Sequence, residues 1–503
     1  MLEILILVPL LAGLAMLFIR DARLCRWLLP CVGICHTSAT VAIILAILAD
    51  ERPEALRGLL APDSLGAVFL GLASILFLAA SFYAVGYLKM EAENSFQNTA
   101  SENKLRSSAP ERRFTACLCF FLTAMSVVTT TPHLGALWVG IEATTLASAP
   151  LIYFHQTRRS LEATWKYLIL CSVGIALALL GNILLSVAFY APSASGASVV
   201  FADDIDSLGW FIAHAESAQP QWLKAAFIFL LIGYGAKMGL APLHNWLPDA
   251  HSEAPSLVSA LLSGALLNCA LLGILRGHQI LLAAGQGDFS GSLLVFFGLL
   301  SMLVAAIFII GQGHYKRMLA YSSVEHMGIL ALGIGVGGLA AQGAMLHATC
   351  HSLAKCLLFL ISGNILARYH TYSSYDARGM HWVMPVSSAL WLAGFLAVAG
   401  SPPFGIFVSE LVILKGIFAN SSCLVATIYL CALGVIFVAM SISVFRMVQG
   451  PKPPDLPPRS DVGEAPWSVV PSFCLAGAVL ALGIWIPGWL WTLLGRAAAR
   501  VGG

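Results

Sequence analysis

Five ionisable residues stand inside stretches otherwise suited to hydrocarbon: Glu142, Lys237, Lys355, Glu410 and Lys415. A charge at bilayer depth costs several kcal/mol unless it is paired or hydrated, so each is a functional candidate. Histidines lie among them. His347, His351 and Lys355 recur at intervals of four, which places all three on one helical face. His326 follows Glu325 one segment earlier, and His244 and His251 flank a proline-rich run. Imidazole exchanges a proton near neutral pH, and a desolvated lysine can be brought into that range, so these residue types support proton transfer. Fixed ion pairs holding helices together are the bland alternative, better suited to one isolated charge than to five on separate helices. A metal is the other, but the His347/His351/Lys355 stripe offers only two good ligands, lysine being a poor one. We therefore expect no metal site. His36 and His278 read as packing or interface residues and are assigned no role.

The elements that must position these groups follow from composition. Hydrophobic residues make up 59% of the 503 and charged residues 10%, with a mean hydropathy of +0.85. A soluble domain keeps about a quarter of its residues charged, so the main solvent here is lipid. Apolar runs long enough to span about 30 Å as helices fall at 2–19, 28–48, 64–88, 114–131, 134–155, 165–190, 222–242, 255–280, 291–311, 317–338, 342–368, 382–419 (with a break), 423–448 and 467–495. The expectation is an all-α polytopic membrane protein of about fourteen helices. The runs are too long for barrel strands and lack their alternation. A formal net charge of +2 gives no case for nucleic acid. The twelve cysteines form no run suited to iron–sulfur or nickel ligation, and no nucleotide motif occurs, so no cofactor or redox centre is expected in this chain.

Two runs should interrupt their helices. The first holds Lys237, Gly239, Pro242, His244 and Pro248; the second holds Gly400, Pro402, Pro403 and Glu410. Proline removes a backbone donor and clashes with the preceding turn. The freed backbone groups must then face protein or water rather than lipid. Interrupted helices at corresponding places in two halves are the signature of inverted-repeat transporters, and each break here adjoins a buried charge. Lysine and arginine gather in alternate loops, notably at Arg20–Arg26, Lys89–Arg113, Arg158–Lys166, Lys316–Arg317 and Arg446–Arg459. The positive-inside rule makes those loops cytoplasmic and puts both termini on the outer side of a bacterial inner membrane. Glu3 and the lack of a cleavage pattern make Leu2–Ile19 a retained first helix.

The stretches Lys237–Ser263 (KMGLAPLHNWLPDAHSEAPSLVSALLS), Lys316–Gly328 (KRMLAYSSVEHMG) and His347–Gly363 resemble the antiporter-like subunits of respiratory complex I. Those subunits are related to Mrp-type sodium/proton antiporters and to membrane-bound nickel–iron hydrogenases. The resemblance covers nearly the whole chain. The segments beginning at Trp138 and Ser160 look closest to hydrogenase-4 component F, of formate hydrogenlyase-like complexes. It implies helices 1–3 with an inner loop over 1–113, five-helix repeats over 114–280 and 291–448, and a last helix in 467–503. It implies that Glu142 and Lys237 form a pair whose approach changes the lysine's proton affinity. His326 and His351 match histidines of a central hydrated axis, Glu410 matches an outlet residue, and Lys355 matches a lysine found in some members. The eighth helix departs from the pattern: Ser263 and Asn268 stand where complex I subunits carry lysine or histidine. The implied function is non-redox proton translocation driven by electron transfer in partner subunits of a hydrogenase or dehydrogenase complex. A Na⁺/H⁺ antiporter, or an ion-conducting partner for inorganic-carbon uptake, is the second reading; a scaffold of frozen charge pairs is the third.

Overall fold

The computed structural model describes all residues except 99–103, 190–206, 421–422, 452–463 and 503, and the side chains of 92–109 and 420 are likewise left aside. The described chain is helical, with no strand: α1 (Leu2–Phe18), α2 (Ala22–Leu48), α3 (Ser64–Asn98), α4 (Lys104–Thr130), α5 (Leu134–Ile152), α6 (Arg158–Ala188), α7 (Leu208–Ala213), α8 (Pro220–Met238), α9 (Trp246–Glu253), α10 (Ser256–Leu261), α11 (Leu267–Ala283), α12 (Gly287–Ile309), α13 (Tyr315–Val336), α14 (Gly338–Tyr369), α15 (Met380–Val383), α16 (Pro385–Val398), α17 (Gly405–Asn420), α18 (Cys423–Gln449), α19 (Pro466–Ile484) and α20 (Gly488–Ala499). A π-helical turn, Leu262–Leu266, joins α10 to α11 into one membrane helix. Eleven described helices are long and apolar enough to cross a membrane, and α1 and α16 are shorter apolar ones. With each interrupted pair taken as one crossing, every expected segment finds its helix.

Both breaks are built alike, and each begins before its proline. In the first, α8 ends at Met238 and Gly239 takes the left-handed conformation (φ +84°) that costs glycine least. Leu240 N–H then donates to Gly235 O at 2.9 Å, the closing bond of a Schellman cap. In the second, Gly400 has φ +61° and Ser401 N–H donates to Leu396 O at 2.9 Å. A cis proline follows in each case, at Ala241–Pro242 and at Pro402–Pro403. Pro242 and Pro403 therefore keep helices already ended by glycine from resuming. The free end of α8 is covered across the break by Trp246, whose indole N–H donates to Ala236 O at 2.8 Å.

The last expected span, 467–495, is not one helix. Ile484 ends α19, and Pro487 becomes the N-cap of α20. Arg496 ties α20 to Asp50 at 2.9 Å and to Ile47 O at 3.0 Å. Two segments are enclosed along their whole apolar length, Ser256–Ala283 and α14, with α13 nearly so. Glycine lets neighbouring helices close in on this centre: a Cβ on Gly298 of α12 would stand 2.7 Å from Gly328 O of α13.

Candidate functional site

Lys237 lies in the last turn of α8, fully buried, where the partial negative charge of a helix C-terminus favours an ammonium. Its Nζ donates to Thr145 Oγ1 at 2.5 Å and to Tyr167 Oη at 2.9 Å, and stands 4.8 Å from the Tyr167 ring centre. Ser148 and Tyr167 share a hydrogen bond of 2.6 Å. Glu142 is not in direct contact with the lysine. It accepts from Thr145 Oγ1 at 3.2 Å and from Ser172 Oγ at 3.1 Å, so Thr145 links the two charges. Glu142, Thr145 and Ser148 are spaced by three on α5 and present one face to α6 and α8. Glu142 itself is half-buried, beside the exposed Ser172.

The second group gathers on α13, α14 and α17. His347, His351 and Lys355 share a face of α14 as their spacing predicts, all fully buried. His326 of α13 meets that face: its Nδ1 is 2.9 Å from His347 Nε2, and its ring centre is 4.7 Å from that of His351. His347 Nδ1 is 2.9 Å from Ser409 Oγ on α17, next to Glu410. Lys355 Nζ donates to Leu319 O at 2.9 Å. His326, His347 and Glu410 each offer a ligand atom within 4.8 Å of the others, the arrangement among the described residues that suits a metal ion. Sequence spacing could not show it, because the three come from three helices.

Between the groups lies the π-helical turn, which holds Ser263; Asn268 follows on α11. Ser263 Oγ is 2.8 Å from Ser323 Oγ of α13, and Asn268 Nδ2 donates to Ser352 Oγ of α14 at 2.8 Å. The extra residue of a π turn frees backbone and re-aims side chains, which is why such turns recur at functional sites. Asn268 Oδ1 and both ring nitrogens of His351 are buried with no hydrogen-bond partner among the described residues.

Two placements differ from the sequence reading. Lys415, expected among the buried charges, is exposed on the outer flank of α17. It falls five residues after Glu410, about 140° around the helix from the inward face. Lys316, expected in an inner loop, is fully buried at the start of α13, where its Nζ donates to Ala254 O at 2.6 Å and caps the end of α9. Four further groups were not singled out by sequence: Thr145, Tyr167, Ser409 and Glu325, which accepts from Ser322 Oγ at 3.3 Å. Thr145 had a signal, three residues from Glu142, and so did Glu325, an acid inside the apolar span 317–338. His244 and His251 are buried on the α9 side of the break. His36 and His278 are bonded to buried serines, Ser126 and Ser290, at 2.8 Å.

A family profile described as "NADH:quinone oxidoreductase/Mrp antiporter, TM" matches residues 131–436. The chain is 36% identical over 429 residues to a hydrogenase-4 component F homolog of Methylacidiphilum infernorum (isolate V4), covering 84% of this chain and 85% of that one. It is 30% identical to hydrogenase-4 component B of Escherichia coli K12, over 71% of this chain and 51% of the longer relative. Among solved structures it superposes on a chain of the Mrp complex from Dietzia sp. DQ12-45-1b with a TM-score of 0.84 at 18% identity, covering 99% of this chain and 97% of that one. A chain of respiratory complex I from Thermus thermophilus gives 0.79 at 20% identity over the whole of both. At these identities the superpositions speak for the fold.

Proposed function

The chain belongs to the NADH:quinone oxidoreductase/Mrp antiporter transmembrane family, and from that premise we propose that it is a non-redox, proton-translocating subunit of a hydrogenase-4 or NADH dehydrogenase-type membrane complex. The observation that carries the reading is Lys237: a fully buried lysine held by two hydroxyls, with its carboxylate one hydroxyl away. A frozen ion pair would close the direct contact. A bridged pair can be tightened or loosened by a charge arriving from outside.

Low-potential electron transfer in the partner subunits perturbs the field along the membrane arm and shifts Glu142 relative to Lys237. A hundredfold change in the lysine's proton affinity takes about 2.7 kcal/mol, within the effect of moving one charge in a low dielectric. Lys237 releases its proton across the Ser263–Asn268 region to His351, His326 and His347, with Lys355 biasing the imidazoles, and Glu410 passes it to the outer side. Lys237 then reloads from the inner side. The reading divides the chain into repeats over 114–280 and 291–448, a division supported by one like-built break in each. The same reading places the chain in a bacterial inner membrane with both termini outside, since its Lys/Arg clusters fall on one set of loops.

In the reconstituted intact complex, Lys237→Met should abolish proton translocation while electron transfer in the partners continues. Unchanged translocation would end this reading. Substituting Na⁺ for the driving ion separates the second reading: uptake of radioactive Na⁺ in step with turnover would make the chain a sodium/proton antiporter subunit instead.

A further inference from the structure

The hydrogen bond between His326 and His347 sits where three metal-ligating side chains converge, and we propose that His326, His347 and Glu410 form a binding site for a borderline divalent metal ion of the Zn²⁺ class. The inference rests on the proton-line reading for its consequence but on geometry for its existence. His326 and His347 are fully buried and Glu410 is 9% exposed. Their ligand atoms already lie within 4.8 Å of one another. Zinc binds imidazole nitrogen at about 2.0–2.1 Å and carboxylate oxygen at about 2.0–2.2 Å, so tetrahedral ligands stand about 3.4 Å apart. The His326 Nδ1 to His347 Nε2 distance of 2.9 Å has only to open by a few tenths of an ångström. Glu410, with its flexible side chain, closes the remaining gap.

The surroundings orient the ligands. His347 Nδ1 lies 2.9 Å from Ser409 Oγ, an outer partner that fixes which nitrogen faces the site. The tautomer with the proton on Nδ1 leaves the Nε2 lone pair for a metal. His326 Nε2 is buried without a partner among the described residues, so the ring can carry its proton there and offer Nδ1. His351, with its ring centre 4.7 Å from that of His326, packs beside the three ligands, and a water completes the tetrahedron. Binding balances without redox change: the proton shared by His326 and His347 shifts to His326 Nε2, and Glu410 binds as its carboxylate, any proton it carries leaving to solvent as the ion arrives. Imidazole ligands select against Na⁺, Mg²⁺ and Ca²⁺, which prefer oxygen, and favour Zn²⁺ or Co²⁺. An ion seated there occupies the place of the proton that the line must pass.

The intact complex, equilibrated with Zn²⁺ and freed of excess, should show a zinc X-ray absorption shell of two imidazole nitrogens with oxygen in the remaining places. Ser409→Ala, which removes an orienting partner rather than a ligand, should weaken retention about 10–100-fold. A sulfur shell from the exposed cysteines, no imidazole in the shell, or equal retention by Ser409→Ala would overturn the proposal. Proton translocation measured on the same preparation separates the two readings. Zinc retained in the Ser409-dependent way with translocation undiminished supports the site and counts against the proton line. Translocation that depends on Lys237, with no imidazole-bound zinc, keeps the line and removes the site.

Discussion

Thr145 is the residue on which the coupling between Glu142 and Lys237 turns. One hydroxyl accepts from the lysine and donates to the carboxylate, so its rotation transmits a shift of either charge to the other. Hydrogen bonds to charged groups contribute about 1.5–3 kcal/mol. Thr145→Val keeps the shape and removes the link; it should lower coupled proton translocation by roughly ten- to a hundredfold while the complex still assembles. Wild-type coupling in that variant would mean that Glu142 acts through some other route. Tyr167→Phe is the milder counterpart, since Thr145 still holds the ammonium, and it should lower translocation by less than Thr145→Val does.

At the scale of elements, the two breaks depend on left-handed glycines more than on their prolines. A residue with a Cβ at φ +61° is strained by about 1–2 kcal/mol, and at Gly400 the added carbon would also run into the Glu410 carboxylate. Gly400→Ala should therefore displace Glu410 and cut proton translocation strongly, with a modest fall in thermal stability. Pro402→Ala leaves the Gly400 turn and its Ser401 hydrogen bond in place and should keep most of the activity. If the two variants proved equally impaired, the proline rather than the glycine would set the break.

Over the whole molecule, the chain's last helix is clipped across the bundle end by ion pairs. Arg276 of α11 donates to both Asp63 oxygens at 2.8 Å, and Arg500 beyond α20 lies 3.5 Å from the same carboxylate. Burial alone would raise the Asp63 carboxyl, but the Arg276 guanidinium, its hydrogen bonds and the Gly66 N–H outweigh it and hold the group at about 2. The folded value lies below the unfolded one of about 3.9. The stabilisation is therefore complete above about pH 5 and is lost as pH falls through 4 toward 2. Asp63→Asn leaves Arg276 buried without its counter-charge and should cost about 3–5 kcal/mol at neutral pH. In thermal melts of the detergent-solubilised protein, the gap between wild type and Asp63→Asn should be constant from pH 8 to 5 and narrow below pH 4. A gap independent of pH would show that shape, not charge, holds this end.

The membrane class, the helices and the two breaks were legible in the sequence because each rests on local chemistry: apolar length, proline, and glycine beside it. The α14 stripe was legible too, since a spacing of four fixes a face within one helix. What the sequence could not decide was which way a helix turns once it is packed. Lys415 and Glu410 share α17, yet only Glu410 faces inward; Lys316 reads as a loop charge and is buried under α9. Thr145 as a bridge, Tyr167 under the ammonium and Ser409 behind His347 all join residues from different helices. The convergence of His326, His347 and Glu410 does the same. Periodicity carries no information about the rotation of one helix against another. Tertiary packing sets that rotation, and so decides which polar groups meet.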